Sequence, residues 1–223
     1  METLNQIEIE KALLDIRKAH RLLFEYQHRI VDIMHFIQDK LKLPSYLTGN
    51  KLIFETIHNT RGGYGTLNVN NIWAWDFIYG YIFEFYLGNK ICYKGSDPFV
   101  YDLSIIEVSD TGFFESQIPN KDLRKTNSYV IPEEAATFLI FMIQTKPKET
   151  GDNIWQNTSY IQTKTEEIIN NKKEDFIEEK NNITFYAKKY NVTNFFTQLD
   201  AEKSIQEFIE LVKMKTGIDI SFQ

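Results

Sequence analysis

From Thr3 to about Leu41 the chain contains no Pro or Gly, and Ile9, Ile16, Leu23, Ile30 and Ile37 recur every seven residues. Ala12, Ala19, Tyr26 and Ile33 fill the companion position three residues on. That period gathers the apolar side chains on one stripe and predicts an amphipathic helix roughly 60 Å long, ended by Pro44 and Gly49. Sustained for about five heptads, such a stripe suits a self-associating seam. The extra apolar residues Leu22, Phe24, Val31, Met34 and Phe36 widen the arc beyond a two-position seam and suit a helix lying along a sheet.

Between Trp73 and Phe85 the period changes to two: Trp73, Trp75, Phe77, Tyr79, Tyr81, Phe83 and Phe85 alternate with Ala74, Asp76, Ile78, Gly80, Ile82 and Glu84. Alternation places the rings on one face of a strand, with a bulge or bend expected at Gly80. Gly88-Asn89 has the chemistry of a two-residue hairpin turn that returns the chain through Ile91, Cys92 and Tyr93. A second hairpin is expected from Leu103 to Ser116 around Asp110, Thr111 and Gly112, which would set Glu107 opposite Glu115. Thr137 to Thr145 is apolar on both faces and suits a central strand. Beyond it, Thr165 to Lys180 is expected as a helix and Ile183 to Tyr190 as a strand. Thr197 and Asp200 form a capping pair before a last helix, which Gly217 stops. The sum is an α+β fold, an antiparallel sheet of about four to six strands. The long N-terminal helix packs on its aromatic face, with a C-terminal helix beside it.

Composition sharpens this picture. At 223 residues with 43% hydrophobic side chains, the chain is read as one domain. Its parts are the helix over 1–42, the sheet mainly over 50–145 and mixed helix and strand over 146–223. A net charge of −6 argues against coating a nucleic-acid backbone, which requires clustered cations. Arg17, Lys18, His20 and Arg21 form the best local exception. The lone Cys92 excludes an intrachain disulfide, and the three glutamates between Met1 and Glu10 are unlike a secretory signal, so a cytoplasmic setting is expected. No apolar run approaches the roughly 18 residues of a membrane span.

Three constellations carry candidate chemistry. Glu25, His28, Asp32, His35 and Asp39 share one helical face at i, i+3 and i+4 spacing, which could hold a metal. The same row faces away from the isoleucine stripe, where a solvated face explains it better. Asp76, Glu84, Glu107 and Glu115 would compose an acidic site for metal-assisted hydrolysis if the sheet brought them together. Trp73, Trp75, Tyr79 and Tyr81, with Arg61 in a glycine-rich loop, could form a binding surface. As a core layer the same rings need no ligand. Thr60 to Gly65 lacks a Walker lysine and the GxGxxG spacing, and no cofactor is expected. With no complete catalytic constellation, the residues favour a protein-binding or self-associating assembly protein acting through the long helix and the aromatic sheet. The alternatives are a metal-dependent hydrolase or nuclease, and a nucleic-acid-binding accessory protein.

Overall fold

The computed structural model describes residues 6–43, 48–51, 82–116, 118–119, 126–148 and 158–220. The chain is α+β. Its first element, α1 (Gln6–Leu41), is a single helix of 36 residues. The described strands, β1 (Thr48–Lys51), β2 (Ile82–Lys94), β3 (Asp97–Val108), β4 (Phe138–Pro147), β5 (Asp175–Lys180) and β6 (Ile183–Asn191), make one antiparallel sheet in the order β1-β2-β3-β4-β6-β5. A short helix α2 (Gly112–Glu115) and the longer α3 (Thr158–Asn170) and α4 (Gln198–Thr216) complete the described elements.

Alternation along the central strands explains the layering, because successive side chains point to opposite faces. Leu103 and Ile105 of β3, with Leu139, Phe141 and Ile143 of β4, meet the C-terminal half of α1 and the whole of α4 on one face. Ile106, Val108, Ile140 and Met142 meet Ile161, Ile168 and Ile169 of α3 on the other. Under α4 the core is aromatic: Phe141 stacks on Phe195 at 5.3 Å and meets Phe208 edge-on at 5.2 Å. Thr197 caps α4 through its side chain, which accepts from the Asp200 amide, and Gly217 closes it in the left-handed conformation at φ 72°. Both termini of that helix match the sequence reading.

Three local expectations fail, each for a physical reason. Gly88-Asn89 is not a hairpin turn. Ile91, Cys92 and Tyr93 continue β2 and pair with Val100, Phe99 and Pro98, and the chain reverses at Gly95-Ser96. Gly88, at φ 116°, instead absorbs a register shift after Tyr86 as a bulge. The return arm of the second hairpin is helical. The Asp110 carboxylate accepts from the Gly112 amide at 2.7 Å and starts α2, so Glu115 leaves the sheet. The helix expected over 165–180 ends at Asn170, with Lys172 at φ 51° breaking it, and Phe176 and Ile177 belong to the edge strand β5. Of the aromatic ladder, Phe83 and Phe85 are described. They lie on the α1 face with ring centroids 4.7 Å apart. Trp73, Trp75, Phe77, Tyr79 and Tyr81 lie outside the described residues, as do Gly80, Asp76 and Arg61.

Candidate functional site

Only the second half of α1 is packed. Ile30, Ile33, Met34, Ile37 and Leu41 are buried against the sheet and α4. At that end Gln38 donates to the Leu87 carbonyl at 3.1 Å, and Lys40 pairs with Glu202 of α4 at 2.7 Å. From Gln6 to Glu25 every side chain is exposed. The first half therefore stands clear as an arm about 30 Å long at 1.5 Å per residue.

The arm keeps the stripe. Ile9, Leu13, Ile16 and Leu23 are 44%, 48%, 51% and 46% exposed. At 100° per residue they fall, with the buried Ile30, Met34, Ile37 and Leu41, inside one arc of about 120°. The same face of one helix is thus core at one end and bare at the other. A row of large apolar groups at helical spacing in water is unusual for a surface that acts alone.

A polar junction marks where α1 leaves the sheet. Glu107, fully buried near the end of β3, accepts hydrogen bonds from Gln27 of α1 at 3.3 Å and from Ser109 at 3.1 Å. Burial pushes its carboxyl above the ordinary carboxylate range, and these two donors with the neighbouring Tyr26 offset part of that effect. Burial, with the Glu107 charge beside it, likewise raises the Tyr26 hydroxyl. Tyr26 Oη, Gln27 Oε1 and Glu107 Oε2 are buried without a hydrogen-bond partner of ordinary geometry. Next along the helix, Arg29 donates to the Phe196 carbonyl at 3.0 Å.

The described acidic candidates, Glu84, Glu107 and Glu115, do not gather at one place. Glu84 is buried on the α3 face and accepts from Ser104 at 2.8 Å, whereas Glu107 points to the α1 face. Glu115 sits on α2. The sheet itself therefore separates Glu84 from Glu107, and the expected hairpin that would have joined Glu107 to Glu115 does not exist. On the long helix Glu25, His28, Asp32, His35 and Asp39 are all exposed, with His28 3.9 Å from Asp32. Among the described residues no three His, Cys, Asp or Glu side chains gather as a metal site. Cys92 is buried, and desolvation pushes its thiol up to about 12, far from a reactive thiolate.

One buried polar group escaped the sequence reading. Asp102 lies inside the sheet on the α3 face, accepting from the Tyr86 hydroxyl at 2.8 Å, which in turn accepts from Asn89 at 3.2 Å. Burial raises the Asp102 carboxyl, and Tyr86, Lys146 and Asn89 counter it. Gln144 stands across from it in register. Asp102 Oδ2 and Gln144 Nε2 are both buried without a partner. The available signal was a polar residue, Asp102 or Gln144, beside the apolar run of each of the two central strands.

These features define an α+β protein with a projecting helical arm. Residues 6–217 match the model of the PM0109 family, and the chain belongs to that family. It is similar to an uncharacterized protein, PM0109, of Pasteurella multocida (strain Pm70), with 46% identity over 39 residues. That stretch is 18% of this chain, and the chain spans about a fifth (19%) of the length of the curated relative it matches. No solved structure matches. Among the described residues no helix is long and apolar enough to cross a membrane.

Proposed function

We propose that this chain is an assembly protein of the cytoplasm, and that it self-associates through the projecting half of α1. One observation carries the reading: the stripe that builds the core from Ile30 to Leu41 continues, unbroken in phase and uncovered, through Leu23, Ile16, Leu13 and Ile9. A helix whose apolar face is used for half its length gains by covering the remainder, since removing apolar surface from water is the main favourable term in association. The lone, deeply buried thiol of Cys92 suits a reducing compartment. Against the hydrolase alternative, Glu84 and Glu107 lie on opposite faces of the sheet and Glu115 sits on α2. The nucleic-acid alternative is weakened because Lys18 of the basic group already pairs with Asp15 at 3.2 Å and the arm carries as many carboxylates as cations other than histidine.

Sedimentation velocity over a dilution series tests the proposal. Wild type is expected to move from monomer to dimer as concentration rises. An Ile16→Glu, Leu23→Glu double variant should remain monomeric with an unchanged circular dichroism spectrum. A wild-type chain that stays monomeric throughout, or a double variant that still dimerises, sinks it.

A further inference from the structure

From the way the arm meets the sheet and from the charge along it, we infer that the two copies pair antiparallel over Gln6 to Leu23, with a two-fold axis crossing between Leu14 and Asp15. The inference rests on the self-association proposed above.

Sterics disfavour a parallel pair. The bare stripe runs straight into the packed one, and from Gln27 onward that face of α1 is occupied by its own sheet. A parallel partner lying on the stripe would carry its own residues 30–41 forward into the space the first sheet fills. An antiparallel partner instead brings the tip of its arm, which carries no sheet, toward the first sheet. With the axis between Leu14 and Asp15, the partner's Gln6, the first described residue, lies level with Leu23, so the described arms overlap without reaching Gln27 on either side.

Charge gives an independent argument. Gln6 to Asp15 holds Glu8, Glu10 and Asp15 against Lys11, whereas Ile16 to Glu25 holds Arg17, Lys18 and Arg21 against Glu25. The arm is acidic toward its tip and basic toward its root. Parallel pairing would set tip on tip and root on root, like charge on like. Antiparallel pairing sets acid against base twice. Glu10 and Arg17 are seven residues apart and so flank the stripe on the same side. In this register Glu10 faces the partner's Arg17, and the reverse pair follows by symmetry. Leu13 then packs against the partner's Ile16, and Ile9 against the partner's His20. Ala12 and Ala19 flank the other side of the seam, where small side chains allow the helices to approach closely.

The outcome is a bridge: two sheets at opposite ends of paired arms, with the two Gln27 positions separated by about 38 Å along the axis. Each junction at Glu107 faces the end of the partner's arm. The assembly therefore acts as a spacer with two outward-facing sheets, rather than as a compact dimer.

Site-directed cross-linking decides the orientation. Cys92 is buried and its thiol is held protonated, so new cysteines on the arm report alone. Ile9→Cys and His20→Cys chains are made separately, since both positions are exposed and neither supports the fold. Mixing them under mild oxidation should give a disulfide-linked dimer, while each variant alone should give none. In this register like positions sit about 16 Å apart along the axis, beyond the roughly 7 Å limit between Cα atoms that a disulfide tolerates. Disulfide formation by each variant alone would establish parallel pairing and overturn the orientation while leaving self-association intact. A dimer in sedimentation without any cross-link would place the contact elsewhere and overturn the inference. A monomer in sedimentation removes the assembly reading itself. As a second measurement, Glu10→Arg should weaken dimerisation about tenfold by setting like charges together twice, and adding Arg17→Glu should restore it. Failure of that restoration counts against the register.

Discussion

Ile16 and Ile37 are the same residue type on the same stripe of one helix, and they should respond in opposite ways to truncation. Ile37 is fully buried and Ile16 is 51% exposed. Ile37→Ala removes buried methyl groups from a core bounded by the sheet and α4, which cannot close the gap without moving. The expected loss is about 4 kcal/mol, in the upper half of the range for such truncations. For a chain of this size that corresponds to a fall in Tm of roughly 8 to 16 °C. Ile16→Ala removes no packing from the monomer and gains about 0.5 kcal/mol in helix propensity, so stability at high dilution should change little or rise slightly. Its cost should appear in association instead. Covering the exposed half of Ile16 is worth about 1 kcal/mol per copy, or about 2 kcal/mol per dimer, close to a 30-fold weaker dissociation constant. Urea denaturation followed by circular dichroism at high dilution measures the first quantity, and sedimentation equilibrium the second. If Ile16→Ala destabilises the monomer as strongly as Ile37→Ala does, the arm is packed within one chain and the reasoning fails.

Two further outcomes test the polar and capping features. Glu107 has its carboxyl raised in the folded protein, so the stability its neutral form contributes is present below the ordinary carboxyl range and is lost as pH rises through the raised value. Glu107→Gln should therefore match wild type in acid and become the more stable of the two toward neutral pH, as read from denaturation midpoints at several pH values; curves that run parallel across that range would contradict the burial of this charge. Thr197→Ala removes the side-chain oxygen that caps α4 and should cost about 1 kcal/mol, with Thr197→Ser retaining most of it; equal loss in both variants would assign the effect to packing rather than to the cap.

Much of the secondary structure was legible because local chemistry sets it. The seven-residue period of α1, the cap and stop of α4, and the doubly apolar β4 all follow from side-chain pattern and from residues suited to helix ends. Where turn chemistry competed with strand continuation, local reading failed. Gly88-Asn89 has the composition of a hairpin, yet Ile91 to Tyr93 gain more by pairing with Pro98 to Val100, and the glycine becomes a bulge. Asp110 reads as part of a turn in either fold; whether Phe114 and Glu115 return as a strand depends on what the neighbouring chain already occupies.

The candidate site divides along the same line. A periodic stripe shows that one face of α1 is apolar over its whole length, but it cannot tell core from contact, because both demand the same residues at the same spacing. Only the tertiary structure reveals that the sheet covers Ile30 to Leu41 and leaves Ile9 to Leu23 bare. Charge alone likewise could not say that Glu84 and Glu107 would fall on opposite faces, nor that Asp102 and Gln144 would meet inside the sheet. Period fixes a residue's face within its own element, whereas strand pairing and helix docking decide what that face meets.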